Sequence, residues 1–217
     1  MHKSINNLTS IEGQIKSRFT KSINLKIIAV SKTFSMTEIK PLINHGHIHF
    51  GENKVQESVE KWTDIKNSFQ NIKLHMIGKL QTNKVKYVVP LFDYIHSLDN
   101  LKLAEKISEE QKKRNKNLKI FIQVNIGKED QKGGIDPKYL KDFYNKCISD
   151  LKLDIIGLMC IPPQEGDTKK YFKQMFDLKN SLGLQELSMG MSSDYIEAIE
   201  YGATFVRIGS KIFGNRT

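Results

Sequence analysis

Eight short runs of β-branched and apolar residues, each followed by an amphipathic stretch, recur along the 217-residue chain and limit its fold more than any other feature. Strands are expected at 26–30, 47–50, 73–77, 94–97, 119–125, 153–159, 186–189 and 204–208. Helices are expected at 36–44, 53–68, 80–88, 100–115, 136–150, 167–182 and 192–201, with a further one at 3–19 ahead of the first strand. Local signals agree, since Asp136-Pro137 reads as an N-cap followed by proline in the first turn, and Asp194 with Glu197 reads as a capping-box pair. Parallel strands joined by helices bury both faces of a sheet. Eight such steps in 217 residues, without a linker or a break in composition, predict a single α/β domain over 1–217: a (β/α)8 TIM-type barrel with an extra N-terminal helix. An open doubly wound sheet is the alternative.

Composition removes several classes of function. Apolar residues make up 39% of the chain and charged ones 27%, which suits a globular chain and not a disordered one. The longest apolar runs, at 27–30 and 121–124, are far shorter than the roughly 20 residues of a membrane-spanning helix. The first twenty residues lack the apolar core of a secretory signal, so a cytoplasmic protein is expected, in which Asn7-Leu8-Thr9 is an idle glycosylation match. Cys147 and Cys160 stand in no metal-binding or disulfide pattern, and no metal site is expected. The net charge of +10 comes from scattered lysines, and the densest run, Lys112-Lys113-Arg114, ends a helix where cations meet the helix dipole. Specific nucleic-acid binding is therefore not expected.

In a parallel barrel, chemistry gathers where the strands end at their carboxyl side. The loops after the last two strands carry Gly190, Ser192, Ser193, Gly209 and Ser210, and such loops bind phosphate through backbone N–H groups, hydroxyls and a helix start. Helix capping by the serines and an ordinary turn at Gly209 are the plainer alternative. Lys32 follows the apolar strand Ile27-Ile28-Ala29-Val30. A lysine desolvated there is an amine able to attack a carbonyl, unless its head snorkels past the rim to water. Amine and phosphate loops facing each other across one mouth suggest a ligand with an aldehyde at one end and a phosphate at the other. Arg207 ends the last strand and points to the same ligand, either at a heteroaromatic nitrogen or at the phosphate.

Ala29-Val30-Ser31-Lys32-Thr33, Phe50-Gly51-Glu52-Asn53-Lys54-Val55-Gln56-Glu57 and His75-Met76-Ile77-Gly78-Lys79-Leu80-Gln81-Thr82-Asn83-Lys84 resemble the YggS/PROSC family of pyridoxal phosphate homeostasis proteins. Further blocks extend the resemblance along nearly the whole chain: Val124-Asn125-Ile126, Lys132-Gly133-Gly134-Ile135, Gly157-Leu158-Met159, 187–194 and 206–214. The resemblance implies a fold like the barrel domain of alanine racemase, with pyridoxal 5′-phosphate held as a Schiff base on Lys32. It also implies that Ser192, Ser193, Gly209 and Ser210 cradle the phosphate and that Arg207 approaches the pyridine nitrogen. Asn53 and His75 lie in family blocks at strand ends and are candidates to face the cofactor; helix capping by Asn53 and an inward hydrogen-bonded role for His75 are the alternatives. Phe34-Ser35-Met36-Thr37 and Lys54 depart from the family pattern and bear on the rim of the pocket.

Two functions follow from the resemblance. One is a carrier that buffers or delivers the cofactor to apo-enzymes that use it, without a catalytic residue of its own. The other is an amino acid racemase of the same barrel type. Racemisation needs an acid or base on each face of the substrate carbon. In two-domain racemases one of these comes from a C-terminal β-domain, for which this chain leaves no room. The expectation is therefore a non-catalytic, monomeric carrier.

Overall fold

The computed structural model describes residues 1–19, 24–129, 133–163 and 166–214. Eight strands, β1 (Lys26–Val30), β2 (His49–Glu52), β3 (Lys73–Met76), β4 (Tyr94–Leu98), β5 (Lys119–Gln123), β6 (Asp154–Met159), β7 (Glu186–Ser188) and β8 (Phe205–Ile208), close into a barrel in chain order. Every pair is parallel, and β1 closes the ring by pairing β2 at Ala29–Phe50 and β8 at Lys26–Phe205. The α-helices are α1 (Lys3–Arg18), α2 (Met36–Asn44), α3 (Val55–Ser68), α4 (Val85–Leu91), α5 (Leu101–Arg114), α6 (Leu140–Ser149), α7 (Thr168–Ser181), α8 (Tyr195–Glu200) and α9 (Ser210–Phe213). The expected (β/α)8 barrel with a leading helix is the fold.

The helices bury apolar stripes against the sheet or, for α1, against α2 and α9. In α5 the stripe is Leu103, Ala104 and Ile107, the start is capped by the Asn100 side chain accepting from the Leu103 N–H at 2.9 Å, and the stop is Asn115 in the left-handed region at φ 49°. Lys112, Lys113 and Arg114 occupy its last turn, as the charge pattern predicts. The main core lies between sheet and helices, where Trp62 packs on Phe50 with ring centroids 5.0 Å apart. A second, smaller cluster of Ile28, Tyr94, Phe121, Met159 and Phe205 fills the barrel itself.

Differences from the sequence reading have local causes. Strand β2 runs two residues beyond the expected 47–50, because Gly51 and Glu52, poor strand formers, are both wholly buried there. A side chain at 51 would stand 2.8 Å from the Ile28 Cγ2, so only glycine fits. Strand β5 stops at Gln123 instead of Asn125, and Val124 bridges to Ile135 outside the ladder. The helix expected at 80–88 begins with a 3₁₀ turn at Thr82–Lys84, and that at 136–150 begins with one at Pro137–Tyr139. The helix expected at 192–201 is shorter, since 192–194 form the turn before α8. Helix α9 escaped the periodicity reading because four residues hold no full repeat.

Candidate functional site

A cavity of about 780 Å³ opens at the carboxyl ends of the strands. Lys32, Asn53, Ser192, Ser193, Arg207, Gly209 and Ser210 all line it, which brings together seven residues singled out in the sequence. Lys79, Asp99, Gln123, Asn125 and Gly133 complete its polar wall. His75 does not reach it. Its ring is wholly buried inside the barrel, stacked on Tyr94 with centroids 4.2 Å apart and bonded to two other imidazoles, so the inward structural role is the one it fills. Lys132, part of one family block, lies outside the described residues.

Lys32 is half-buried, and the chain on both sides of it is pinned. The Ser31 hydroxyl donates to Glu52 Oε1 at 2.7 Å. The same oxygen accepts from Lys61 Nζ at 3.0 Å and from the Trp62 indole at 2.9 Å. Lys61 also donates to the Ser31 carbonyl at 3.1 Å and to Glu57 at 3.0 Å, and Glu57 accepts from the Thr33 N–H at 3.0 Å. Burial pushes the Glu57 carboxyl up, yet the Thr33 N–H and Lys61 outweigh it and hold it below the usual range. Thr33 sits at φ 70°, a region a β-branched residue enters at a cost of about 1–3 kcal/mol. The network through Glu57 holds that turn and so fixes where Lys32 leaves the barrel wall. Sequence reading missed Glu52, Glu57 and Lys61. The available signal was a glutamate at a strand end, which must find a cation when buried, with lysine nine positions on along a helix.

The last two loops are tied to each other. The Ser192 Oγ accepts from the Gly209 N–H at 3.3 Å and the Lys211 N–H at 3.4 Å. Gly190 is needed for packing and not for access: at φ 89° its missing side chain would meet Ala198 Cβ at 2.6 Å. The expected capping pair does not form. Asp194 Oδ1 accepts from the Met191 N–H at 2.6 Å, and Glu197 accepts from Thr168 at 2.8 Å.

Arg207 is almost wholly buried, and its Nη1 donates to Ser188 Oγ at 2.7 Å while Nη2 donates to the Cys160 carbonyl at 2.8 Å. Burial pulls the guanidinium down from its ordinary value, and it remains a cation at neutral pH. Asn53 caps no helix, the N-cap of α3 being Lys54, and its Oδ1 is buried without a hydrogen-bond partner. A side chain at Gly78 would stand 2.5 Å from the Asn53 carbonyl, so glycine is required beside it. The opposite wall is closed by 133–135, where the Ile135 N–H donates to the Gln123 carbonyl at 2.8 Å and the Asn125 N–H to the Ile135 carbonyl at 3.0 Å.

The family model for the alanine racemase N-terminal domain matches residues 7–217. A protein of Aquifex aeolicus named pyridoxal phosphate homeostasis protein is 40% identical over 200 residues, which are 88% of this chain and 87% of that one. The chain belongs to the YggS/PROSC family. Its barrel superposes on PipY, the COG0325 family member of Synechococcus elongatus PCC7942, solved without PLP, with a TM-score of 0.87 and 32% identity over 98% of this chain and all of that one. PipY solved with PLP bound gives a TM-score of 0.85 at 32% identity, covering 97% of this chain and all of that one. A YggS/PROSC member thus has the fold that its sequence blocks imply. Among the described residues no helix is long and apolar enough to cross a membrane, and no His, Cys, Asp and Glu cluster is placed to hold a metal ion. Both cysteines are buried and neither forms a disulfide among the described residues, and burial pushes Cys147 up to about 12.

Proposed function

We propose that the chain binds pyridoxal 5′-phosphate at the barrel mouth and buffers or delivers it, without turnover of its own. One observation carries the reading: Lys32, the tied serine and glycine loops, and Arg207 all line a single cavity. The residues fit the cofactor. Lys32 supplies an amine for its aldehyde, Ser192, Ser193 and Ser210 supply hydroxyls for its phosphate, Gly209 lets the backbone come close to it, and the orphaned Asn53 Oδ1 supplies a buried acceptor. Pyridoxal phosphate, when bound to an enzyme, serves as an electron sink for carbanions. Arg207 works against that use, because a cation donating to the ring nitrogen disfavours its protonation. Lys79, Asp99, Gln123 and Asn125 add polar groups to the lining of the same cavity.

The support for a carrier is the naming of its relatives as homeostasis proteins together with this donor set. Recipients are proposed to be apo-enzymes that use the cofactor, and the protomer is proposed to act as a monomer in the cytoplasm. The test is the visible absorption of the protein mixed with pyridoxal phosphate, beside Lys32→Ala, followed by borohydride reduction and peptide mass analysis. A long-wavelength band lost in the variant, with the reduced adduct on Lys32, is the expected result. A chain that acquires no band and no adduct refutes binding, and conversion of L-alanine to D-alanine above the free-cofactor rate refutes the carrier reading in favour of a racemase.

A further inference from the structure

The barrel interior holds an unusual filling for a parallel barrel, whose centre is ordinarily packed with branched aliphatic side chains. His49 Nδ1 lies 2.9 Å from His75 Nε2, His75 Nδ1 lies 2.9 Å from His96 Nε2, and His96 Nδ1 lies 2.8 Å from Ser188 Oγ. Ser188 Oγ in turn accepts from Arg207 Nη1 at 2.7 Å. The chain therefore runs from the cavity-lining guanidinium down to His49, which is only partly buried at the start of β2.

Proton bookkeeping fixes its direction. A guanidinium has donors only, so Ser188 accepts from Arg207 and has one O–H left to give. That hydroxyl donates to His96 Nδ1. A neutral His96 then carries its proton on Nε2 and donates to His75 Nδ1, and His75 donates from Nε2 to His49 Nδ1. The reverse order would place two donors on Ser188 Oγ and strand its own O–H in a buried site, at a loss comparable to an unmade hydrogen bond. Charging His75 would set proton against proton across its 2.9 Å contact with His96, and charging His96 would do the same against the Ser188 hydroxyl at 2.8 Å. Burial points the same way, holding His75 and His96 well below their ordinary range, with Arg207 adding to the effect at His96. The rings are also clamped face-on, His75 by Tyr94 and His96 by Phe121 with centroids 4.3 Å apart.

We propose that Ser188 and His96, backed by His75 and His49, are positioning residues for Arg207: a one-way hydrogen-bond chain, every bond directed away from the guanidinium, with all three imidazoles neutral and protonated on Nε2. Ser188 occupies Nη1 and the Cys160 carbonyl occupies Nη2, so the cation stays aimed at the cavity. The chain orients and does not conduct, because it meets the cavity only through a group that keeps its proton. That this serves recognition of a ligand ring rests on the function proposed above; the chain itself does not.

The experiment needs no ligand, so its outcome is independent of cofactor binding. Long-range ¹H–¹⁵N correlation on the uniformly ¹⁵N-labelled full chain at neutral pH should show protonated Nε2 and bare Nδ1 in His49, His75 and His96. Couplings across the N–H···N bonds should join His75 to His96 and His49 to His75. In Ser188→Ala, His96 should change its nitrogen shifts and the Arg207 Nη protons should collapse from separate, slowly exchanging signals to an averaged one. His49→Gln, at the far end, should remove one coupling and leave His96 and Arg207 as in the wild type. An Nδ1–H or doubly protonated form at His75 or His96 overturns the direction. Arg207 signals unmoved by Ser188→Ala, or moved as much by His49→Gln, overturn the positioning role.

Discussion

The mouth of the barrel and its interior are both polar, and they differ in where their hydrogen bonds end. Inside, Ser188, His96, His75 and His49 bond to one another in series. At the mouth, Asn53 Oδ1 is buried with no partner, and Ser192, Ser193, Gly209 and Ser210 line an open cavity. Polar residues alone do not mark a binding site; a partnerless polar group that also lines a cavity, as Asn53 does, is the better mark. Between the two lies a third arrangement, the Glu52–Lys61–Glu57 network, which gathers its donors on Glu52 Oε1, leaves Oε2 buried without a partner, and is placed to hold the turn that carries Lys32.

Breaking that middle layer should have the largest effect. Lys61→Met leaves Glu52 buried beside Ser31 and Trp62 without its cation, a change that costs about 3–5 kcal/mol. Chemical denaturation should show that loss, and a midpoint unchanged from the wild type would mean the network adds nothing beneath the mouth. Acid should then discriminate the interior from the mouth. Burial lowers His47 and His49 from 6.5 to about 4, so the folded state binds fewer protons than the unfolded one between these values. Their contribution is complete above pH 6.5 and is withdrawn as pH falls towards 4, by up to about 1.4 kcal/mol per pH unit for each imidazole. Thermal melts across that range should slope less steeply in His49→Gln.

A smaller effect is expected of His96→Phe, which leaves Ser188 and His75 each short of a partner, at about 1–3 kcal/mol. Its denaturation midpoint should fall, whereas a neutral result would remove the contrast between satisfied interior and unsatisfied mouth. The smallest effect on stability belongs to the mouth. Ser193→Asp should leave unfolding within about 0.5 kcal/mol of the wild type. The same variant should weaken pyridoxal phosphate binding, measured by equilibrium dialysis, by about tenfold, since like charges then meet.

The fold was legible because its signal is repeated: eight β-branched runs alternating with helical stripes leave few topologies. Lys32 and the serine and glycine loops were legible because a barrel assigns chemistry to strand ends. The Glu52 network and the imidazole chain were not, because they join residues up to 92 positions apart and depend on which side chains face inward at one level of the sheet. His75 shows the difficulty well. Its neighbours in sequence, Ile77 and Gly78, line the cavity, and a step of two residues along a strand carries a side chain nearly 7 Å deeper. Gly51 and Glu52 misled the strand boundary for a related reason, as local preference yielded to burial beside Ile28 and Trp62.

The stacked rings at the centre have a consequence for motion. Tyr94 on His75 and Phe121 on His96 are held face to face, and Phe205 meets all four rings at centroid distances of 5.2 to 5.9 Å. A phenylalanine rotating about its long axis sweeps out the space its neighbours occupy, and the two imidazoles among these neighbours are tethered at their edges by hydrogen bonds. Half-turns of Phe121 and Phe205 must therefore wait for the whole column to loosen, which makes their flip rate a clock for breathing of the barrel as a unit.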